Sequence, residues 1–227
     1  MRPLRPRVLC NMAPSLDGKI APAHKRAPFT MSRGSEDPKR MHALRARADA
    51  VIIGATNLEA DDRDLMPSLL RVVVTRAGER VNPAARMFDP ALGGEGIVAH
   101  AATMPADRRE ALGARATLVE LGASEVDVGE LLEWLGRERG CKVVLCEGGG
   151  VLNANLLAAR AIDEMFLTIV PRVLGGSNAP TVVAGDGFAP DALPDARLTH
   201  VDQVGDELFL TYAFDWSEPA RASRRHA

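Results

Sequence analysis

Four polar clusters carry the side chains that are best suited to chemistry, and each follows an apolar run of strand-like length. The first comes after Val8–Met12 and contains Ser15, Asp17 and Lys19, so a hydroxyl, a carboxylate and an ammonium lie close together in the chain. Such a set can hold a polar ligand or transfer a proton to it. A solvated Asp-Gly turn is the structural alternative for the same residues.

The second cluster contains a glycine, which would let a ligand approach the backbone. Gly54, Thr56 and Asn57 follow the run Ala50–Ile53, and a charged stretch occupies Asp61–Asp64. Glycine lets a ligand approach the main chain, and the polar side chains can donate or accept hydrogen bonds. The alternatives are a solvated loop or a magnesium site built on two of the carboxylates.

The third cluster pairs Thr75 with Arg76 at the end of the run Val72–Thr75. A guanidinium beside a hydroxyl suits a phosphate monoester, because arginine offers a planar fork of donors. The 2′-phosphate that distinguishes NADPH from NADH is a group of this kind. A surface arginine on a turn is the alternative.

The fourth cluster is the glycine triplet Gly148-Gly149-Gly150, between the run Val143–Cys146 and a predicted helix over Asn153–Ala161. A strand, a turn without side chains and a helix N-terminus together expose backbone N–H groups to an anion such as a pyrophosphate. A tight strand-to-helix turn with no ligand is the alternative. Four strand-end clusters favour one shared site, since ligands bind at the carboxyl edge of open α/β sheets.

The elements that must position these clusters alternate along the chain, which predicts an α/β fold with a mostly parallel sheet and helices on both faces. The last strands lack helices between them and predict an antiparallel C-terminal edge. We expect one domain over residues 1–216 and a disordered tail over 217–227. Predicted strands are Val8–Met12, Ala50–Ile53, Val72–Thr75, Gly96–Ala99, Thr117–Glu120, Val143–Cys146, Glu164–Pro171, Arg197–Val201 and Glu207–Phe214. Predicted helices are Asp37–Ala48, Ala106–Ala114, Val128–Arg139 and Asn153–Ala161.

Composition excludes several classes of function. The net charge of −2 over 227 residues argues against a broad nucleic-acid footprint. No apolar run reaches the roughly 18 residues that span a bilayer. The three cysteines and five histidines show no metal-ligand spacing, so we expect no metal and reduced core thiols in a cytoplasmic protein.

Longer stretches around the clusters resemble a known family, the riboflavin-pathway reductases. The resemblance is carried by Asn11–Ala21, Leu44-Arg45-Ala46, Ala48–Gly54, Ala60-Asp61-Asp62, Glu147–Asn153, Ile162-Asp163-Glu164 and Pro171–Gly176. The chain is most similar to stand-alone archaeal-type reductases and to the reductase half of bifunctional RibD proteins, without the motifs of the zinc deaminase half. The late glycine turn also resembles that of the dihydrofolate reductase fold.

The resemblance implies NADPH-dependent reduction of a phosphoribosylamino-pyrimidine to its ribitylamino form, in a homodimer. Asp17 or Lys19 would deliver the proton or polarise an imine, and Glu147 would hydrogen-bond the substrate. The other implied substrate contacts are Asn11, Ser15, Arg45 and Leu65. The cofactor contacts that the clusters and the resemblance together predict are Ala13, Gly54, Thr56, Asn57, Asp61, Thr75, Arg76, Gly148, Gly149, Gly150, Val151, Leu152 and Asn153.

Two other functions stay open at this stage. The same fold can reduce a pterin, a folate or a specialised metabolite, and a chain that has lost catalysis can still bind NADPH. Whether the pyrimidine is reduced before or after deamination is not decided by these residues.

Overall fold

The computed structural model describes residues 5–23, 29–60 and 68–216. Within these ranges the strands are β1 (Arg7–Met12), β2 (Ala50–Gly54), β3 (Leu70–Thr75), β4 (Glu95–His100), β5 (Thr117–Glu120), β6 (Val143–Cys146), β7 (Glu164–Ile169), β8 (Ala196–Val204) and β9 (Glu207–Phe214). The α-helices there are α1 (Glu36–Arg45), α2 (Ala55–Ala60), α3 (Ala106–Gly113), α4 (Val128–Glu138) and α5 (Gly150–Ala158). Two short 3₁₀-helices, Arg86–Phe88 and Pro90–Leu92, precede β4.

All of these strands belong to one sheet in the order β5-β4-β3-β2-β6-β1-β7-β9-β8. Every pair from β5 to β7 is parallel, whereas β9 pairs antiparallel with both β7 and β8. The predicted parallel sheet with an antiparallel C-terminal edge is therefore confirmed. The four strands that precede the polar clusters, β3, β2, β6 and β1, are consecutive neighbours, so their carboxyl ends lie side by side at one edge.

Helices cover both faces of the parallel strands. On one face α4 and α5 bury Leu131 and Leu156 in the same cluster as Ile52 of β2. On the other face Leu44 of α1 packs in a cluster with Val51, the neighbour of Ile52 along β2. Successive strand residues point to opposite faces, so a strand buried on both sides reads as a continuous apolar run. None of the described helices combines the length and apolar character needed to cross a membrane.

Helix α1 differs from its prediction at both ends. It begins at Glu36 with Ser35 as its N-cap, so Pro38 is the third helical residue instead of the first. The proline is tolerated because the N–H groups of the first turn have no partner within the helix. The predicted end at Ala48 is replaced by a tighter turn, in which the N–H of Ala48 donates to the carbonyl of Arg45.

Helix α5 begins three residues earlier than predicted. Gly149 is its N-cap and Gly150 its first residue, so the glycine triplet forms the start of the helix as well as the turn before it. As a consequence Asn153 lies inside the helix. Helix α2, which is six residues long, was not predicted, because its polar residues were interpreted as a loop.

Candidate functional site

The glycine turn is held against the end of β2 by its backbone. The N–H of Gly54 donates to the carbonyl oxygen of Gly148 at 2.8 Å, and the Gly148–Gly149 peptide bond is cis. A Cβ on Gly54 would lie 3.6 Å from the nitrogen of Gly149. The predicted close backbone approach at Gly54 is thus made, in this structure, by the glycine turn itself.

Packing explains two glycines of the triplet and leaves the third open. Gly148 has φ +81°, and a Cβ there would lie 2.8 Å from the sulfur of Met12. A Cβ on Gly150 would lie 2.4 Å from the carbonyl oxygen of Thr181, which no real Cβ tolerates. A Cβ on Gly149 would meet nothing within 4 Å, and its φ of −82° suits any residue. A glycine at this position therefore keeps open space beside the backbone.

That open space adjoins the N-terminus of α5. The N-cap Gly149 has no side chain to satisfy the first turn, and the N–H groups of Gly150, Val151 and Leu152 have no hydrogen-bond acceptor among the described residues. Unpaired N–H groups and the positive end of the helix dipole together favour an anion. The arrangement fits the pyrophosphate of a dinucleotide.

The structure corrects the assignment of Asn153 as a cofactor contact. Its side chain is fully buried, where the carboxamide oxygen accepts from the thiols of Cys10 and Cys146 at 3.5 and 3.3 Å. The carboxamide nitrogen donates to the carbonyl of Val182 at 2.8 Å. Its backbone N–H is bonded to the carbonyl of Gly149. Asn153 therefore supports the turn from inside the core. The contact with the Cys146 thiol, together with burial, raises the pKa of Cys10.

Helix α2 lies beside the turn at the end of β2. Asn57 donates from its side-chain nitrogen to the backbone oxygen of Glu147 at 2.9 Å, which joins α2 to the residue before the triplet. Thr56 is exposed on the first turn of the same helix. Asp61 and Leu65, which were predicted to contact cofactor and substrate, lie outside the described residues.

The third cluster has one structural member and one accessible member. The hydroxyl of Thr75 is buried and accepts from the N–H of Gly78 at 3.0 Å, which fixes the turn after β3. The side chain of Arg76 is 57% exposed and meets Glu125 at 3.4 Å. Exposed pairs of this kind are worth about 0–1 kcal/mol, so this one would yield readily to a phosphate.

Arg45 and Glu147, predicted separately, form one buried ion pair. The Nε–Oε1 and Nη2–Oε2 distances are 2.7 and 2.8 Å, and the side chains are only 7% and 12% exposed. This bidentate geometry satisfies most of both charges. A substrate phosphate at Arg45 would have to share the guanidinium with Glu147.

The Ser15–Lys19 loop closes on itself through Ser15. The buried Ser15 hydroxyl bonds Asp17 at 2.6 Å and accepts the N–H of Lys19 at 3.0 Å, so its hydrogen bonds are already used within the loop. The hydrogen bond from the Ser15 hydroxyl is the largest reason why the pKa of Asp17 falls to about 2. The N–H groups of Leu174 and Gly175 add to the effect. Asp17 thus carries no proton near neutral pH. The ammonium of Lys19 has no ion pair among the described residues and is the loop's candidate acid.

Two predicted contact residues, Asn11 on β1 and Ala13 just after it, differ in their surroundings. Ala13 follows the strand at the site edge, next to Pro14, whose carbonyl accepts from Val170. Asn11 instead lines a cavity of about 220 Å³ between α1 and the strands β7 and β9, together with Phe166 and Thr211. The predicted contact of Asn11 with the substrate stays a prediction.

Asp37 on the first turn of α1 was interpreted from the sequence only as a helix cap. Burial raises its pKa, opposed by a hydrogen bond from Thr168 of β7. A titratable carboxyl group that packs against the sheet had no signal in the local sequence, because its partner is far along the chain.

The sheet order and its antiparallel C-terminal edge define a fold of the dihydrofolate reductase type. Dihydrofolate reductase from Enterococcus faecalis, solved with NADP(H), matches at a TM-score of 0.51 and 13% identity over 92% of this chain and 96% of its own. A pyrimidine reductase-like protein from Corynebacterium diphtheriae matches at a TM-score of 0.77 and 17% identity over 92% of both chains. These likenesses concern the fold.

Sequence comparison shows the family. The profile described as RibD C-terminal domain matches residues 6–210. The 2,5-diamino-6-ribosylamino-4(3H)-pyrimidinone 5′-phosphate reductase of Methanothermobacter thermautotrophicus is 33% identical over 92% of this chain and 98% of its own. The chain belongs to the RibD C-terminal domain family, and the predicted resemblance to riboflavin-pathway reductases, with the oxidoreductase class, is confirmed.

Proposed function

We propose that this chain uses NADPH to reduce a phosphoribosylamino-pyrimidine to its ribitylamino form, and that it takes the 2,5-diamino pyrimidine. The observation that carries the proposal is Gly149, where neither a contact of the missing Cβ nor a positive φ accounts for the glycine, beside the unpaired N–H groups of α5. The name of the methanogen relative supports the diamino form of the substrate.

The proposed cofactor site extends along the edge formed by β1, β6, β2 and β3. The backbone from Gly148 to Leu152 holds the pyrophosphate, and Arg76 with Thr75 holds the 2′-phosphate. Thr56 and Asn57 border the same surface on α2, while Gly54 supports the turn from β2. Ala13 lies near the cofactor, as the family resemblance implies.

Bound NADPH supplies a hydride, which is the chemistry that the protein itself lacks. The protein positions C1′ of the ring-opened sugar for that hydride and excludes water. A proton must also reach the nitrogen or oxygen at the reacting carbon, and Lys19 is the group proposed to provide it. The Arg45–Glu147 pair borders the substrate and orients its polar groups.

The proposal is tested by following NADPH consumption with three substrates: the 2,5-diamino pyrimidine, its deaminated counterpart and dihydrofolate. Turnover that is fastest with the diamino compound is expected. Turnover with dihydrofolate alone would assign the site to a pterin or folate. NADPH binding without any turnover would identify a non-catalytic binding protein.

The phosphate role of Arg76 is tested by Arg76→Ala, with Arg80→Ala as the control. Both side chains are exposed, and each is paired with one glutamate: Arg76 with Glu125 and Arg80 with Glu59. Loss of one charge-assisted hydrogen bond is worth about 1.5–3 kcal/mol, so NADPH affinity should fall at least about 10-fold. NADH affinity should change little in either variant, and an equal loss for both cofactors would remove Arg76 from this role.

The homodimer is proposed to form through β8 and β9. Leu198, Val201 and Leu208 are 45%, 52% and 38% exposed there, and β8 is the outer strand of the sheet. Exposed apolar side chains in a group mark interaction surfaces. Val201→Asp should convert the dimer to a monomer in analytical ultracentrifugation.

The reduced, buried thiols of Cys10, Cys141 and Cys146 fit the proposed cytoplasmic location.

A further inference from the structure

The carboxylate of Asp17 joins the Ser15–Lys19 loop to a segment more than 150 residues further along the chain. One oxygen accepts the N–H of Leu174 at 3.1 Å, and the other accepts the N–H of Gly175 at 2.7 Å. The hydrogen bond from the Ser15 hydroxyl fixes the carboxylate from within its own loop. We call these three hydrogen bonds the Asp17 latch.

Backbone hydrogen bonds fix both ends of this segment, since the carbonyls of Arg172 and Pro180 accept the N–H groups of Leu16 and Ile20 at 2.8 and 2.9 Å. Between these ends, little besides Asp17 holds Leu174 and Gly175. The neighbouring Val173 is 72% exposed, and Gly175 itself is exposed, so apolar packing contributes little here. Gly175 and Gly176 both have positive φ, a conformation that an unconstrained chain would exchange freely with others. Hydrogen bonds to a carboxylate are roughly twice as strong as neutral ones, which makes the latch the main local constraint.

The same segment continues to the glycine turn. Thr181 forms an isolated antiparallel bridge with Lys19, and the carbonyl of Thr181 is the atom that would lie 2.4 Å from a Cβ on Gly150. Three residues later the N–H of Ala184 donates to the carbonyl of Gly150 at 3.1 Å. One stretch of chain therefore contacts both the backbone of Lys19 and the start of α5.

We infer that Asp17 is a positioning residue, whose carboxylate holds the 172–181 segment so that Lys19 stands at a fixed distance from the glycine turn. Its catalytic consequence rests on the proposed function, in which Lys19 gives the proton and the turn holds the cofactor. The latch itself does not depend on that function. Asp17 transfers no proton in this arrangement, because all its acceptor contacts are structural.

The latch is tested by amide hydrogen exchange in Asp17→Asn. The carboxamide nitrogen presents donors to an N–H group, so at least one of the bonds to Leu174 and Gly175 is lost. The exchange rate of Leu174 or Gly175, whichever loses its acceptor, should rise at least about 10-fold, because a charge-assisted hydrogen bond is lost there. The control is Asp186→Asn, which removes the same charge from an exposed residue further along the chain. Unchanged exchange in Asp17→Asn would overturn the inference.

Kinetics separate positioning from proton transfer. A misplacement of the order of 1 Å can cost about 100-fold in rate, so kcat of Asp17→Asn should fall between about 10- and 100-fold. The KM for NADPH and the alkaline limb of the pH–rate profile, where a proton donor loses its proton, should stay as in the unaltered protein. Loss of that limb would make Asp17 the proton donor, and wild-type kcat would show that the latch positions nothing; either result overturns the inference.

Two further comparisons keep the inference testable. If Asp17→Asn does not fold, the unaltered protein decides: Leu174 and Gly175 should exchange more slowly than Ser177 and Asn178, whose N–H groups have no acceptor among the described residues. If no pyrimidine is turned over, the proposed function fails, while the exchange comparison still decides whether the latch exists.

Discussion

The glycine turn and the Ser15–Lys19 loop lie at the same edge of the sheet but are stabilised by different forces. The turn depends on close backbone packing, with Gly148 against Met12 and Gly150 against Thr181. The loop depends on one ionised side chain, Asp17. Packing is insensitive to pH and salt, whereas hydrogen bonds to a carboxylate need the charge.

The difference matches what each region is proposed to hold. A pyrophosphate needs fixed, unpaired N–H groups, and a turn set by packing keeps them in place. A proton donor such as Lys19 needs a fixed position and an ammonium group that is not held in an ion pair. The carboxylate of Asp17 accepts hydrogen bonds from backbone N–H groups instead of pairing with Lys19. The two regions are then expected to respond differently to substitution.

The largest loss of stability is expected at the Arg45–Glu147 ion pair, which lies next to the glycine turn. Arg45→Ala leaves Glu147 buried without its main partner, and such a loss costs about 3–5 kcal/mol. Chemical denaturation measures it. The control is Arg137→Ala, which breaks the exposed pair with Glu133 and should change stability by less than about 1 kcal/mol. A similarly small loss for Arg45→Ala would show that packing alone stabilises this region.

Gly150→Ala tests the packing of the turn directly. The new Cβ would be 2.4 Å from the carbonyl oxygen of Thr181, so backbone must move. Overpacking of this kind costs about 1–3 kcal/mol and should lower Tm by about 2–10 °C. Gly149→Ala is the matched control, because its Cβ meets nothing and its φ is ordinary. Equal Tm values for the two variants would contradict the packing account.

Gly149→Ala should instead affect the ligand. The methyl group occupies the open space beside the N-terminus of α5, so the pyrophosphate can no longer approach the backbone. We expect NADPH affinity to fall about 10-fold or more, equivalent to about 1.4 kcal/mol, with Tm unchanged. Fluorescence titration measures this, and Gly149→Val should extend the loss. Unaltered affinity in both variants would move the pyrophosphate elsewhere.

The sequence predicted the sheet and the edge of the site well because both depend on local signals. Apolar runs of strand length predict buried strands, and polar clusters at their ends predict the carboxyl edge where ligands bind. That Gly54, Arg76, Gly149 and Lys19 lie at the carboxyl edge of the sheet could be anticipated from that rule. The strand order that makes those strands neighbours came only from the structure.

The roles of individual side chains could not be predicted, because they depend on partners far along the chain. Arg45 and Glu147 are 102 residues apart, and each looked like a free substrate contact. Asn153 looked like a polar residue at a helix start, but α5 begins one turn earlier and places it in the core. Local sequence reports which groups reach the edge of the sheet but not which are already bonded there.

The smallest effect, and the one that separates the two regions most cleanly, is their response to acid. The pKa of Asp17 is lowered from its usual 3.8 to about 2, so the ionised carboxylate stabilises the folded loop at every pH above 3.8. That contribution decreases as pH falls from 3.8 and is gone once pH passes below about 2. The amide resonance of Gly175 should therefore titrate with a midpoint near 2, while that of Gly54, bonded to the carbonyl of Gly148, stays constant. In Asp17→Asn the Gly175 resonance should not titrate in this range. A midpoint near 3.8 in the unaltered protein would mean that the latch gives the carboxylate no preference for its ionised form.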